Sequence, residues 1–189
     1  MVETSTARRG GTRNSPVGRT LRGDGAPTVS LDEVEHEMTI ELPPSGSRGR
    51  WMPGGLMVRG VMRVIAGLYR ATGGRSGGSA LLLTTVGARS GEQRVASLRR
   101  FDDGDGRWLV VGSAGGAAKH PAWIHNLARS PDKVWVDVGR ERHKVTPELL
   151  HGDERATAWE RIVADAPQFA GYLQQTDREL PVVRLTRET

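Results

Sequence analysis

Two short stretches of this chain carry residue types that hold anions. The first is Gly87-Ala88-Arg89-Ser90-Gly91, followed at a short distance by Arg94. Glycines at both ends let the backbone approach a ligand closely. Arg89 and Arg94 offer forked N–H donors that match phosphate or carboxylate oxygens. An ordinary exposed hairpin with solvated arginines looks the same, so this stretch alone leaves both readings open. The second is Gly112-Ser113-Ala114-Gly115-Gly116-Ala117-Ala118-Lys119, which runs toward Pro121. Proline suits the first turn of a helix, and the free N–H groups and positive dipole end there favour an anion. Lys119 adds a charge beside it. Neither stretch is a nucleotide motif, since GxxxxGK(S/T) and GxGxxG are both unmet. Two anion-ready turns on neighbouring strands point to one shared ligand.

Other chemistries find less support. His120 and His125 are five apart, which does not set both on one helical face, and no HExxH occurs. No metal site is expected. Asp102, Asp103 and Asp105 lack the loop and terminal Glu of a calcium hand and read as a solvated hairpin. Without cysteine the chain has no disulfide or thiolate chemistry, which suits the cytoplasm.

The elements that must position these turns follow from pattern. Residues 1–50 are expected to be a disordered extension, with a short capped helix over 30–42 that Pro43 and Pro44 end; 51–189 is read as one domain. From Leu56 to Tyr69, Val58, Val61, Met62, Ile65, Leu68 and Tyr69 recur at helical spacing among Arg59, Arg63 and Arg70. Such a helix packs on a core or, being basic, lies on an anionic membrane surface. Strands are expected at 80–86, 94–101, 107–112, 133–138, 142–146 and 181–185, with helices at 121–128 and from Asp153. Hairpins outnumber helical crossovers, so the fold class is mainly β with flanking helices, a small antiparallel barrel.

Charge is concentrated. Residues 1–50 hold seven Arg and seven Asp or Glu, whereas 51–100 hold eight Arg against Glu92 alone, a local net of +7. An isoelectric point near 10.4 raises nucleic acid as a partner. Only nine aromatic residues (Trp 5, Tyr 2, Phe 2) are available for base stacking, so an acidic small ligand is the expectation and nucleic acid is not.

The runs LLLTTVGARSGEQRVASL, SAGGAAKHPAWIHNLARSP and QQTDRELPVV together resemble the deazaflavin (F420)-dependent nitroreductase family, over about residues 56–187. The resemblance implies a split β-barrel of the flavin-reductase or FMN-binding type. It also implies reduced F420 as hydride donor, an anionic deazaflavin with a phosphate and an oligoglutamate tail. Carried over, Arg89, Ser90 and Arg94 are expected at the phosphate and tail, and Val95, Ala96 and Ser97 along the deazaflavin. Ser113, Gly115, Gly116 and Lys119 form the second cofactor loop, with Asn126 behind it. Trp123, Phe169 and Tyr172 are expected on the substrate side, while Asp177 and Arg178 fix the chain before the last strand. The sequence departs from the family's pattern at Ala88, Ser97, Ala114 and Ala166.

The implied activity is hydride transfer to a small-molecule acceptor: a quinone, nitroaromatic or enone. Ser113 would hydrogen-bond the oxygen where negative charge develops, and Tyr172 would orient the acceptor or give a proton. Two alternatives stay open: the same barrel with FMN, and a non-catalytic F420 carrier. Peripheral membrane contact through residues 56–69 is a further expectation.

Overall fold

Continuous apolar runs in the sequence become strands buried on both faces. The computed structural model describes residues 40–51 and 56–189. Seven strands form one antiparallel sheet: β1 (Ala80–Val86), β2 (Gln93–Arg99), β3 (Phe101–Asp102), β4 (Arg107–Val111), β5 (Trp135–Val138), β6 (Glu141–Leu149) and β7 (Val182–Arg187). Their order is β2-β1-β5-β6-β7-β4-β3. The two edge strands, β2 and β3, are separated only by Arg100. One stretch of chain therefore serves both edges and curls the sheet into a barrel. The strand expected over 94–101 is thus two strands with a break at Arg100. Opposite it, β6 also changes partners, its first half pairing with β5 and its second with β7. Two half-barrels result, joined by these two crossing strands, which is a split barrel.

Strand alternation sorts the core into layers. Leu81 and Leu83 of β1 point inward with Trp108 and Val110 of β4 and Val183 and Leu185 of β7. Helix α2 (Ala122–Arg129) contributes Trp123, Ile124 and Leu127 to the same cluster. The alternate residues of the same strands face outward. Leu109, Val111 and Val182 pack under α3 (Gly152–Asp165) and α4 (Gln168–Gln175) through Ile162 and Phe169. Leu82 packs under α1 (Leu56–Ala71) against Ala66 and Tyr69. Helix α4 was not foreseen from the sequence.

Helix α1 differs from expectation in which face it buries. Ala66 and Tyr69 are buried, but Val61, Val64, Ile65 and Leu68 are exposed, Val64 at 72% and Leu68 at 58%. The helix is held at its C-terminal end. The Tyr69 hydroxyl donates to Ala80 O and accepts from Gly139 N–H, both at 3.0 Å, and Arg70 meets the buried Asp137 carboxylate at 2.6 Å.

Residues 40–51 form a strap rather than a disordered tail. Ile40 and Leu42 pack against the barrel core. Gly46 N–H donates to Ala118 O (2.9 Å) and Arg50 N–H to Gly116 O (3.0 Å). The packed domain thus begins before residue 51. The helix expected over 30–42 lies outside the described residues except for 40–42, which are not helical.

Candidate functional site

The β1–β2 turn is pinned from behind by α2. Asn126, buried on that helix, accepts the Ala88 N–H at Oδ1 (3.0 Å) and donates from Nδ2 to Thr85 Oγ1 (3.2 Å). Asn126 therefore spends its amide on shaping the turn. Gly91 N–H closes back on Gly87 O (2.8 Å), with Gly91 at φ +66, where glycine is favoured. Arg89 is exposed and makes no ion pair among the described residues. Arg94 is engaged: it donates to Ser90 Oγ (3.0 Å) and meets the Glu92 carboxylate (2.6 Å).

The second stretch is a different device from the helix N-terminus expected. Ser113 is right-handed (φ −71, ψ −37), Ala114 has φ 47 and Gly115 φ 59. Successive right- and left-handed residues turn consecutive N–H groups toward one point, a backbone nest for an anion. The amides of Ser113, Ala114 and Gly115 have no acceptor among the described residues, and neither does the Ser113 hydroxyl. Ala114 is the one non-glycine at positive φ among them. A side chain at Gly116, also at positive φ, would strike Gln175 of α4 at 2.9 Å. Lys119 stands exposed beyond the nest without an ion pair among the described residues.

A slot separates the two stretches. β2 has a ladder partner on one side only, and its other edge approaches β4 without pairing. Pairing across that gap ends at Phe101↔Leu109. Val95 packs toward α1, whereas Ala96 packs into the barrel core. Their side chains thus leave on opposite faces, and what Val95, Ala96 and Ser97 share along the slot is a backbone edge.

Of the residues expected on the substrate side, Trp123 is buried in the barrel core and Phe169 in the outer core. Phe169 sits edge-on between Phe101 (5.7 Å) and Tyr172 (5.5 Å). Tyr172 is half-buried beside that core, and its hydroxyl makes no hydrogen bond among the described residues.

Two contributors escaped sequence reasoning in this role. Asp177 accepts from Ser47 Oγ (2.6 Å), Arg48 N–H (3.0 Å) and Ser47 N–H (3.2 Å), tying the strap down; these bonds lower its carboxyl to about 2. Arg178, only 4% exposed, donates to Ala117 O (2.8 Å), Gly112 O (2.9 Å) and Ser113 O (2.8 Å) beneath the nest. It also meets His120 Nδ1 (3.2 Å), whose Nε2 lies 2.9 Å from Pro43 O. Burial, with the Arg178 charge, holds His120 below its ordinary pKa, so the ring is neutral, accepting at Nδ1 and donating at Nε2. No spacing rule links residue 178 to residues 112–117; β4–β7 pairing does.

The chain is similar to known proteins. An F420H(2)-dependent quinone reductase of Mycobacterium tuberculosis is 37% identical over 147 residues, covering 73% of this chain and 97% of the relative. The figures for a relative in Mycobacterium bovis are the same. A solved structure titled F420-H2 dependent reductase (FDR-A) superposes with TM-score 0.52 at 36% identity, over 57% of this chain and 93% of that one. Another, titled a domain-swapped dimer, gives TM-score 0.53 at 31% identity, over 69% of this chain and 99% of that one. Residues 61–187 match the sequence model of F420H(2)-dependent quinone reductase. The chain belongs to that family of oxidoreductases, whose cofactor is reduced F420.

Proposed function

We propose that this chain reduces a quinone with reduced F420, and that nitroaromatics and enones are further acceptors. What supports the site assignment is the nest: three amides without acceptors among the described residues, on the slot, in a loop that ends at Lys119. That donor set fits a ligand with a phosphate and carboxylates. Ser113, Ala114 and Gly115 would hold one anionic group through their amides, and Lys119, Arg89 and Arg94 the remainder. The free edge of β2 at Val95–Ser97 would receive the flat ring system. Bound F420 supplies the hydride.

The protein's part is placement and charge. Ser113 Oγ–H would donate to the acceptor oxygen as it gains negative charge, and the Tyr172 hydroxyl would orient the acceptor or deliver a proton. One hydride and one proton convert a quinone to its hydroquinone, which leaves the donor oxidised by two electrons. Glu92 must share or release Arg94 when a ligand carboxylate arrives. An equilibrium titration of F420 tests the site. Micromolar binding by the wild-type chain, weakened about tenfold by Arg94→Ala through loss of charge-assisted hydrogen bonds, is expected. Unchanged affinity in the variant would remove Arg94 from the site.

A second reading concerns where the enzyme works. Val61, Val64, Ile65 and Leu68 are exposed at positions three and four apart, with Arg63 exposed alongside and no acid anywhere in α1. An apolar stripe of this kind on a basic helix suits the headgroup boundary of an anionic bilayer, where lipid quinones reside. No helix among the described residues is long and apolar enough to cross a membrane. The contact would therefore be peripheral.

A further inference from the structure

Among the described residues Arg178 is the one arginine or lysine that is buried, and it has no acid partner there. Its neighbours in sequence look elsewhere: Asp177 holds the strap and Glu179 meets Arg155 at 3.2 Å. The other buried charge among the described residues, Asp137, is paired with Arg70. A desolvated cation without a counter-ion is strongly unfavourable, and five hydrogen bonds to neutral acceptors do not cancel its charge. Those five use the whole guanidinium: Ala117 O, Gly112 O, Ser113 O, Glu179 O (3.1 Å) and His120 Nδ1.

The direction of these bonds matters. No peptide bond among the described residues is cis. In a trans peptide the C=O and the following N–H point opposite ways. With the Gly112 and Ser113 carbonyls drawn onto Arg178, the Ser113 and Ala114 amides are turned outward, into the nest. One guanidinium thus shapes the nest from below and sets a positive charge behind it.

We propose that Arg178 is a positioning residue for the anionic part of the cofactor, fixing the 112–117 loop through its carbonyls and leaving a buried charge that a seated anion balances. This rests on the reading that the loop holds F420. It extends that reading to a side chain that never touches the ligand.

The test compares wild type with Arg178→Met, which removes charge and donors, and Arg178→Lys, which keeps the charge but not the fork. Ligands are F420 and the deazaflavin head lacking phosphate and glutamates. Arg178→Met is expected to weaken F420 at least about tenfold and the bare head less than about twofold; Arg178→Lys falls between. A purely structural role would weaken both ligands in step, and that result, or wild-type F420 affinity in Arg178→Met, overturns the proposal. Should Arg178→Met not fold, amide NMR of the wild-type chain titrated with inorganic phosphate decides. Shifts at Ser113, Ala114, Gly115 and the Arg178 Nε–H are expected, and their absence at saturating phosphate overturns it. A wild-type chain that binds no F420 at all would instead remove the underlying reading and the proposal with it.

Discussion

Ala114 occupies a backbone conformation that costs a residue with a Cβ roughly 1–2 kcal/mol, and its φ of 47 is set by the nest that the loop must form. Ala114→Gly keeps the amides in place and relieves that strain, partly offset by the extra freedom of glycine in the unfolded chain. Thermal unfolding is expected to rise by about 1–3 °C, with F420 affinity little changed. Glu92 invites the opposite experiment. Its carboxylate sits on Arg94, where a ligand carboxylate would bind. Since an exposed pair is worth at most about 1 kcal/mol, Glu92→Gln should tighten F420 by no more than about fivefold in a titration. His120 gives a pH dependence of defined sign. It is neutral in the fold because burial and Arg178 disfavour its cation, with His125 nearby adding to this. Its folded pKa lies below the ordinary 6.5, so its contribution to stability is complete above that value. The contribution declines as pH falls from there toward the folded value. Denaturant midpoints should drop between pH 7 and 5 in wild type and drop less in His120→Gln. Asp177 acts lower, its contribution present above 3.8 and lost as pH falls to about 2.

At the scale of elements, α1 is a helix latched at one end. Tyr69 and Arg70 fix its C-terminal turn to β1 and β5, while the Val61–Leu68 stripe has no cover among the described residues. Val64→Asp with Leu68→Asp places two charges on that stripe without touching the Ala66–Tyr69 contact. Wild type is expected to sediment with phosphatidylglycerol-containing vesicles, less so as salt rises, and the double variant to remain in solution with unchanged turnover of a soluble quinone. Wild type that stays in solution at low salt would dispose of the membrane contact. The sequence revealed this helix but not its buried face. Val61, Ile65 and Leu68 have the spacing of a core stripe, and what decides burial is the small Ala66 and the Tyr69 hydroxyl's two backbone partners. β1 and β4 were plain from LLLTTV and WLVV because both faces of each strand are covered. Helix α4 was hidden, being short, glycine-containing and without a capping side chain.

Across the whole molecule, barrel closure depends on one break. Arg100 lets a single stretch leave β1 as β2 and join β4 as β3, and the slot opens where that pairing has not yet begun. No periodicity encodes such a crossing, so a hairpin barrel was legible and its split was not. The same holds for the site. Arg89, Arg94, Lys119 and the glycines announced anion binding by type. The nest, the Asn126 clamp and the Arg178 base arise only when residues 126 and 178 are folded onto turns 38 and 66 positions away. The strap over 40–51 was missed for a related reason: Gly46 and Gly49 lie so close to Asp177 and Ala118 that a Cβ would collide, a requirement visible only in three dimensions. As an enzyme, this assembly would turn reduced F420 and a quinone into oxidised F420 and a hydroquinone. The most direct measurement follows the return of oxidised F420 absorbance when a naphthoquinone is added to reduced F420 and a catalytic amount of the chain. Many turnovers, saturating in both reactants, are expected; a chain that binds F420 yet reoxidises it no faster than the protein-free mixture would contradict the account.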